Sequence, residues 1–373
     1  MRKISAADET KSSRGDASDR NWLMKVGNQE YQTIWMDQEA KKVYFIDQTL
    51  LPFNFEIKST DCSTDLITAI QTMQVRGAPV IGICGALALV LALKNNTSTD
   101  HIIDMAQKII QARPTAVNLA WAVNRVQESV LSQAEHKREQ FAWDYVSELM
   151  EDDIRNNYQI GINGNTLIPP GKEKPFNILT HCNAGWLATV DHGTALSPIF
   201  QAHKEGKNIH IWVDETRPRN QGLLTAWELQ QYDIPHTLIV DNAGGALMMN
   251  DQVDLVIVGA DRISINGHVC NKVGTYLKAL AARAHQIPFY VAAPLSTIDQ
   301  NFKEDVNFAI EDRDPKEVTR MYGLSDEGLL VHVNYPQVKV ANPAFDITPK
   351  ELISGIITEK GIFKPDDVKA IYE

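Results

Sequence analysis

The sequence predicts an α/β protein in which a helical N-terminal domain with a small β element precedes a domain built on a mostly parallel sheet. Apolar residues recur at helical spacing through residues 60–165. From Phe176 onward, short apolar runs alternate with helical segments, which is the pattern of βαβ units. A length of 373 residues also favours two domains over a single core.

Residues 1–20 are polar and lack the apolar segment of a secretory signal, so we expect a disordered tail. Alternating apolar and polar residues over 33–58 predict a small antiparallel β element. The uncharged run Ala78–Leu93 is shorter than the roughly 20 residues that cross a bilayer, which predicts a buried helix. Helical spacing predicts further helices at 63–74, 101–112, 115–130 and 141–163.

The stretch Leu167–Pro175 is rich in Pro, Gly and Lys and is the predicted linker. It separates an N-terminal β/helical domain of residues 21–166 from a sheet domain of residues 176–373. The strands predicted for the sheet domain are Phe176–Thr180, Ile209–Val213, His236–Val240, Leu255–Val258, Phe289–Ala292 and Phe308–Ile310.

Composition narrows the possible functions. The net charge of −11 argues against a nucleic-acid partner, because such binding relies on a basic surface. The four cysteines show no CxxC spacing, so we expect reduced thiols in a cytoplasmic protein, without zinc or disulfides. Asp214-Glu215 lacks a third carboxylate at a spacing that would support Mg²⁺, and no nucleotide-binding glycine motif follows a strand. We therefore expect no metal, no cofactor and no membrane partner.

Polar loops follow five of the predicted strands. In a parallel sheet such loops meet at one edge, where ligands bind beyond the carboxyl ends of the strands. The loops are 181–185, 214–222, 241–245, 259–275 and 294–297. Their concentration at one rim predicts an active site there.

Cys182 is the candidate thiolate. The segment Asn177–Ile199 predicts a strand, a polar turn that carries this cysteine, and then a Gly/Ala/Thr-rich helix. A thiol at a helix N-terminus has a lowered pKa. The alternative is a buried small hydrophobic residue, which is how we interpret the other three cysteines. His181 is not expected to be its base, because adjacent residues at a strand end point in opposite directions.

Asp261 is the candidate acid. It follows an apolar strand, where the charged form of a carboxyl group is disfavoured, and this environment suits a proton donor. The alternatives are pairing with Arg262 or capping of the next turn. Arg76, Arg113 and Lys272 lie at or just before predicted helix starts, where cations and free N–H groups bind phosphate. The alternative for each of these cations is a surface salt bridge.

Motifs along residues 20–363 resemble those of the methylthioribose-1-phosphate isomerase family. Relatives of that family include the alpha, beta and delta regulatory subunits of the translation initiation factor exchange complex. The motifs are RGAPVIG (76–82), RPTAVNLAWAV (113–123), LTHCNAGWLAT (179–189), GTALSPI (193–199), VDETRPRNQG (213–222), VIVGADRISINGHVCNKVGTY (256–276), PFYVAAPLSTID (288–299) and FDITPKELISGIITEKG (345–361). Motifs of this length in this order are highly specific.

The resemblance implies a Rossmann-like sheet domain, a homodimer, and neither a metal nor a nicotinamide cofactor. It implies an aldose–ketose isomerase of methionine salvage that converts 5-methylthioribose 1-phosphate to 5-methylthioribulose 1-phosphate. By matching position, Cys182 is implied as a stabiliser or proton carrier and Asp261 as the proton donor. The implied substrate contacts are Arg76, Gly77, Ala78, Arg113, Gln221, Asn271 and Lys272.

Departures from the family pattern lie close to these motifs. Gly222 runs directly into Leu223, where the family commonly has an extra residue that is often Arg. Asp191-His192 and Ser197-Pro198 are unexpected neighbours of GTAL, which predicts that they alter substrate choice.

Several interpretations remain open at the level of sequence. The substrate of the isomerase is 5-methylthioribose 1-phosphate, 5-deoxyribose 1-phosphate or ribose 1,5-bisphosphate, and the bisphosphate needs a second cationic cluster. Hydrogen moves from C2 to C1 through an enol phosphate with Cys182 as base, or by a direct hydride shift. The alternative from another class is a non-catalytic regulatory subunit, against which the retention of both Cys182 and Asp261 argues.

Overall fold

A computed structural model describes residues 24–171, 173–299, 310–336 and 338–371. The predicted tail at residues 1–20 lies outside these ranges. So does most of the predicted strand Phe308–Ile310, of which only Ile310 is described, and that residue belongs to no strand.

The N-terminal region contains the predicted small β element followed by the predicted helices. Its strands are β1 (Lys25–Val26), β2 (Gln29–Glu30), β3 (Ile34–Asp37), β4 (Lys42–Ile46) and β5 (Ile57–Thr60). Its helices are α1 (Ser63–Gln71), α2 (Ala78–Ala92), α3 (Thr99–Ile110), α4 (Val117–Leu131) and α5 (Arg138–Asn165). Antiparallel pairing of β3 with β4 and of β4 with β5 confirms the predicted β element.

Helix α2 lies at the centre of the helical bundle. Its residues 79–91 are buried, and it contacts α1, α3, α4 and α5. A helix that is apolar on every side is stable only when it is surrounded, which confirms the predicted buried helix. No helix in the described part of the chain is long and apolar enough to cross a membrane.

The C-terminal region alternates strands and helices as predicted. Its strands are β6 (Phe176–Thr180), β7 (Ile209–Asp214), β8 (His236–Ile239), β9 (Leu255–Val258), β10 (Arg262–Ser264), β11 (Val269–Lys272), β12 (Phe289–Ala292), β13 (Ile298–Asp299), β14 (Arg320–Leu324), β15 (Leu330–Asn334), β16 (Phe345–Thr348), β17 (Gly355–Thr358) and β18 (Gly361–Phe363). Its helices are α6 (Ser197–Lys204), α7 (Gly222–Gln230), α8 (Ala243–Met249), α9 (Thr275–Ala284) and α10 (Lys316–Thr319).

The main sheet has the order β18-β17-β12-β9-β6-β7-β8 within the described residues. All its neighbouring strands are parallel except β17 and β18, which confirms the predicted mostly parallel sheet. The chain adds β7 and β8 on one side of β6 and then places β9 on the other side. The strand order therefore reverses between β6 and β9, and a crevice opens at such a switch point.

A smaller sheet was not predicted from the sequence. It has the order β13-β10-β11-β16, and β10 pairs with β11 through a turn at Asn266-Gly267. Strands β10 and β11 are three and four residues long, too short for alternation to reveal. The Asn-Gly dipeptide between them is nevertheless a known hairpin signal. This sheet carries Asn271 and Lys272 toward the crevice.

The two regions share packed surfaces. Ile46 and Ile160 of the N-terminal region belong to the same apolar cluster as Ile178 and Ile211 of the main sheet. The predicted linker at 167–175 lies between α5 and β6, yet the last turns of α5 pack on α6. The domain boundaries therefore remain a prediction, and α2 is held in a fixed position relative to the sheet.

We expect Gly82→Ala to destabilise the protein. Alanine is favoured over glycine in a helix by about 1 kcal/mol. The added methyl group, however, would lie 2.8 Å from the carbonyl oxygen of Asn118 on α4. Overpacking against backbone costs about 1–3 kcal/mol, so the free energy of unfolding should fall by about 1 kcal/mol in urea titrations.

Gly323→Ala is the matched control for that substitution. Gly323 lies in β14, and no atom lies within 4 Å of the position its methyl group would take. An unchanged free energy of unfolding in Gly82→Ala would contradict the tight approach of α2 and α4.

Candidate active site

A cleft opens between the N-terminus of α2 and the carboxyl ends of β6 and β9. All nine site residues proposed from the sequence line it, namely Arg76, Gly77, Ala78, Arg113, Cys182, Gln221, Asp261, Asn271 and Lys272. The chain thus brings together residues that are up to 196 positions apart. The roles of the individual residues remain predictions.

Cys182 is held in an unusual backbone conformation. Its φ of +69° lies in the left-handed region, which costs a non-glycine residue roughly 1–3 kcal/mol. Two threonines fix this geometry: the amide of Cys182 donates to Thr216 Oγ1 at 2.8 Å, and its carbonyl accepts from Thr225 Oγ1 at 2.8 Å. The strain is concentrated at the residue whose side chain faces the cleft.

The prediction of a helix directly after the turn at Cys182 is wrong. Only a short 3₁₀ turn, Trp186–Ala188, forms there, and α6 does not begin until Ser197. The amides of Trp186 and Leu187 donate to the carboxylate of Glu228 on α7 instead of continuing a helix. Tertiary hydrogen bonds have therefore overridden the local helical preference of a Gly/Ala/Thr-rich segment.

The expected low pKa of Cys182 is wrong for the same reason. No regular helix begins at the thiol, and burial raises its pKa, while Lys272 and Arg76 act in the opposite direction. The free thiol is therefore the predominant form at neutral pH. The nearby cations limit this effect and favour the thiolate when the proton leaves.

Asp261 lies at the end of the strand–turn that follows β9. Its amide donates to the carbonyl of Cys270 at 3.0 Å, and its side chain is half-buried. Its carboxylate neither pairs with Arg262 nor caps the next turn, the two alternatives expected from the sequence. It has no hydrogen bond or salt bridge with any residue that the structure describes. Arg262 donates to Asp299. The carboxylate is thus free to meet a ligand in the cleft.

Lys272 and Arg76 are buried cations without a carboxylate partner within salt-bridge distance among the described residues. Lys272 is 4% exposed, and its Nζ lies 5.0 Å from the centre of the Phe345 ring. Arg76 is 5% exposed and donates to the carbonyl and to the side-chain oxygen of Asn183, at 3.2 and 2.5 Å. Burial lowers the pKa of both groups. Buried cations without counter-ions favour an anionic ligand.

Glu228 supports Arg76 from behind the cleft. It is fully buried, and Asn183 Nδ2 donates to it at 2.9 Å while Asn183 Oδ1 accepts from Arg76. Burial raises the pKa of Glu228 to about 7, which the donated hydrogen bonds and Arg76 oppose. Asn183 therefore links the Glu228 carboxyl group to the Arg76 guanidinium through hydrogen bonds, and these bonds fix the loop that carries Cys182.

The start of α2 forms the floor of the cleft. Gly77 precedes the helix with φ +108°, and a Cβ there would lie 2.4 Å from the Cα of Ala188. The first helical hydrogen bond runs from Ile81 to the carbonyl of Gly77, so the amide of Ala78 has no helical partner. This end of α2 presents N–H groups and a positive dipole to the cleft.

The remaining predicted contacts are amides. Gln221 is 4% exposed, and its Oε1 has no hydrogen-bond partner in the described residues, so it can accept a hydrogen bond from a hydroxyl group of a ligand. Asn271 Nδ2 donates to Thr275 at 2.9 Å.

Arg313 and Phe345 line the cleft but were not proposed from the sequence. Arg113 and Arg313 both contact Glu311, and Phe345 lies beside Lys272 and Arg313. Arg313 follows the predicted strand Phe308–Ile310, so the rule that selected the other rim loops would have found it. Phe345 carried no comparable signal.

One group of possible metal ligands exists among the described residues, and its chemistry does not favour a metal. The group is His181, Asp214 and Asp241, with ligand atoms within 4.8 Å of one another. The ammonium of Lys278 already lies 3.1 Å from Asp214. Both ring nitrogens of His181 face oxygens, those of Asp214 at 2.8 Å and Val273 at 2.9 Å. These contacts brace the loop after β11.

The residues flanking GTAL do not line the cleft, so their effect on substrate choice stays a prediction and would act without direct contact. His192 packs against the ring of Tyr158 on α5. Burial lowers the pKa of His192 to about 4. Ser197 donates to the carbonyl of Asn157 at 2.9 Å. These residues dock the loop on α5.

The chain matches known proteins along most of its length. The sequence profile of the initiation factor 2 subunit family matches residues 74–365. A methylthioribose-1-phosphate isomerase from Sinorhizobium medicae is 47% identical over 362 residues, which are 94% of this chain and 99% of that protein.

Two solved structures share the fold. A 5-methylthioribose 1-phosphate isomerase from Pyrococcus horikoshii has a TM-score of 0.78 at 37% identity, over 94% of this chain and 96% of that chain. The delta subunit of translation initiation factor eIF-2B from A. fulgidus has a TM-score of 0.75 at 37% identity, over 91% and 97% of the two chains. The fold is therefore common to proteins whose names denote an isomerase and a subunit of a translation initiation factor.

The raised pKa of Cys182 predicts the pH profile of its alkylation. Because iodoacetamide reacts with the thiolate, the rate at Cys182 should still be rising above pH 9. Mass spectrometry of the modified peptides measures it, with the exposed Cys62 of the same chain as the internal control. A midpoint below about pH 8, under the ordinary thiol range, would contradict the assignment.

Proposed function

The chain belongs to the initiation factor 2 subunit family and, within it, to the methylthioribose-1-phosphate isomerases, and on this premise we propose that it converts 5-methylthioribose 1-phosphate to 5-methylthioribulose 1-phosphate. The reaction is an aldose–ketose isomerisation, which is a step of methionine salvage.

One observation carries this proposal. Cys182 and Asp261 follow the two strands that flank the switch point of the sheet, in a cleft with buried cations that lack carboxylate partners. A regulatory subunit needs the fold but not a strained thiol beside an unpaired carboxylate. The pair and the cations together suit a sugar phosphate.

The phosphate on C1 dictates the chemistry. Because the anomeric oxygen is esterified, it has no hydroxyl proton to lose, and the sugar cannot open to a free aldehyde. The bond between C1 and the ring oxygen must instead break with protonation of the ring oxygen. Asp261 donates a proton to that oxygen, which becomes the hydroxyl group on C4. Lys272, Arg76 and the N–H groups at the start of α2 hold the phosphate dianion in place.

Hydrogen then moves from C2 to C1, and the hydroxyl on C2 loses its proton to become the ketone. In the enol-phosphate route, the Cys182 thiolate takes the proton from C2 and returns it to C1. In the hydride route, the thiolate stabilises the cationic centre while hydrogen moves with its electron pair. Both routes use the Cys182 thiolate together with the protonated Asp261 carboxyl group.

We also propose that the protein is a homodimer. Met249 of α8 and Leu277 of α9 lie on two helices that contact each other, and they are 63% and 59% exposed. Strand β8 is an edge strand of the main sheet. Exposed apolar surface of this kind marks a contact with another chain.

A cytoplasmic location remains a prediction.

Light scattering after size-exclusion chromatography should give about twice the chain mass of 41.7 kDa. Leu277→Asp should shift the protein toward monomer, because it buries a charge in the contact. Ile103→Asp, on the exposed side of α3, is the control. A wild-type mass of one chain would contradict the proposal.

An isomerase assay tests the proposed reaction. We expect the largest kcat/KM on 5-methylthioribose 1-phosphate, compared with 5-deoxyribose 1-phosphate and ribose 1,5-bisphosphate. Cys182→Ser and Asp261→Asn should each lower turnover at least about 100-fold, the usual scale for such groups. Cys62→Ser and Asp100→Asn, both at exposed positions, are the matched controls.

Activity on none of the three sugars would favour the hypothesis of a regulatory subunit. Near-normal turnover in either site variant would remove that residue from the mechanism. The same assay in D₂O separates the two routes, because substantial deuterium at C1 of the product excludes a hydride shift.

A further inference from the structure

Arg113 and Arg313 form a pair on one wall of the cleft. Arg113 Nη2 lies 3.2 Å from Glu311 Oε2, and Arg313 Nε lies 3.2 Å from Glu311 Oε1. The hydroxyl of Thr115 also donates to Glu311, at 3.3 Å. One carboxylate thus bridges two guanidinium groups that come from distant parts of the chain. We call Arg113 and Arg313 the arginine pair.

Glu311 makes this pair possible. Two guanidinium groups side by side repel each other, which disfavours the pair unless a counter-ion lies between them. Glu311 is not part of the cleft wall, whereas both arginines are. It therefore offsets part of the positive charge of the pair from behind the cleft wall. Its role is that of a positioning residue.

The pair keeps hydrogen-bond donors available. Only Nη2 of Arg113 has a partner among the described residues, so its Nε and Nη1 remain unused. Arg313 uses Nε on Glu311 and Nη1 on the sulfur of Met73 at 3.3 Å, with Glu317 4.0 Å from Nη1. The ring of Phe345 lies 5.7 Å from the Arg313 guanidinium and limits its movement.

Planar guanidinium groups with paired free donors match phosphate oxygens better than an ammonium does. The side chain of Arg313 is 7% exposed, so a surface salt bridge does not explain its position. The ring of Phe345 lies 5.0 Å from Lys272 Nζ and 5.7 Å from the Arg313 guanidinium, so the arginine pair and Lys272 line one site. Asp261 interacts electrostatically with Arg76, Arg113 and Lys272.

We propose that Arg313 is a further substrate-binding residue, and that the arginine pair, held together by Glu311, binds the 1-phosphate of the sugar substrate together with Lys272 and Arg76. The proposal rests on the proposed function for the identity of the ligand. Its chemistry, the recognition of a phosphate group, stands independently of catalysis and is tested separately.

Arg313→Gln should weaken binding of inorganic phosphate roughly 10- to 100-fold, the range of a lost charge-assisted hydrogen bond. Titration calorimetry at low salt measures this without any turnover. In the isomerase assay, the same variant should raise KM by a similar factor while kcat changes less, because the contact is made in the bound substrate as well. Arg313→Lys should restore part of the loss.

Glu311→Gln keeps the shape of the side chain and removes its charge. It should weaken phosphate binding in the wild-type background but have no further effect in an Arg113→Gln/Arg313→Gln background, because it acts only through the pair. Arg283→Gln, at an exposed arginine of α9, is the control for loss of one positive charge. Thermal unfolding of each variant verifies folding.

Phosphate affinity and KM within about twofold of wild type in folded Arg313→Gln would overturn the proposal. An effect confined to ribose 1,5-bisphosphate would also overturn it, since the pair would then not serve the 1-phosphate. Weakened phosphate binding in a protein without isomerase activity would support the pair and refute the proposed reaction. Failure of phosphate binding by the arginine pair and failure of the proposed isomerase activity are therefore distinguishable.

Discussion

The interaction on which the site depends is the chain of hydrogen bonds that links Glu228 through Asn183 to Arg76. Glu228 is buried where an isolated carboxylate would be costly, and its donors come from the loop after Cys182. The same asparagine accepts from Arg76, which precedes α2 in another part of the fold. This single chain of hydrogen bonds therefore fixes both the thiol loop and the start of the helix that forms the floor of the cleft.

A second constraint is charge. Arg76, Arg113, Lys272 and Arg313 face one cleft, and Asp261 is its only carboxylate among the described lining residues. The structure places acids behind three of these cations, Glu228 behind Arg76 and Glu311 behind Arg113 and Arg313, so that repulsion is reduced without filling the cleft. Lys272 lies beside the ring of Phe345 and has no carboxylate within salt-bridge distance in the described part of the chain. The excess of positive charge is directed at a ligand.

The sequence predicted the features that depend on strand order and local pattern. Polar loops after parallel strands must meet at one rim, which brought Cys182 and Asp261 together correctly. The sequence could not predict the structural role of Glu228, which looks like an ordinary polar residue of α7. Its role comes from hydrogen bonds to residues about 45 positions away. The same contacts replaced the predicted helix after Cys182 with a buried loop. Arg313 was missed although its position after a predicted strand was informative.

The energetic cost of the site favours catalysis over scaffolding. A left-handed φ at Cys182 and a buried, unpaired Lys272 both reduce stability, and neither contributes to the apolar cores. In a protein that used only its outer surface, substitutions that relieve this strain would be stabilising. The fold tolerates the strain because the packing around α2 and the main sheet is extensive. What is gained is a thiol, an acid and several cations, held in fixed positions before the substrate arrives.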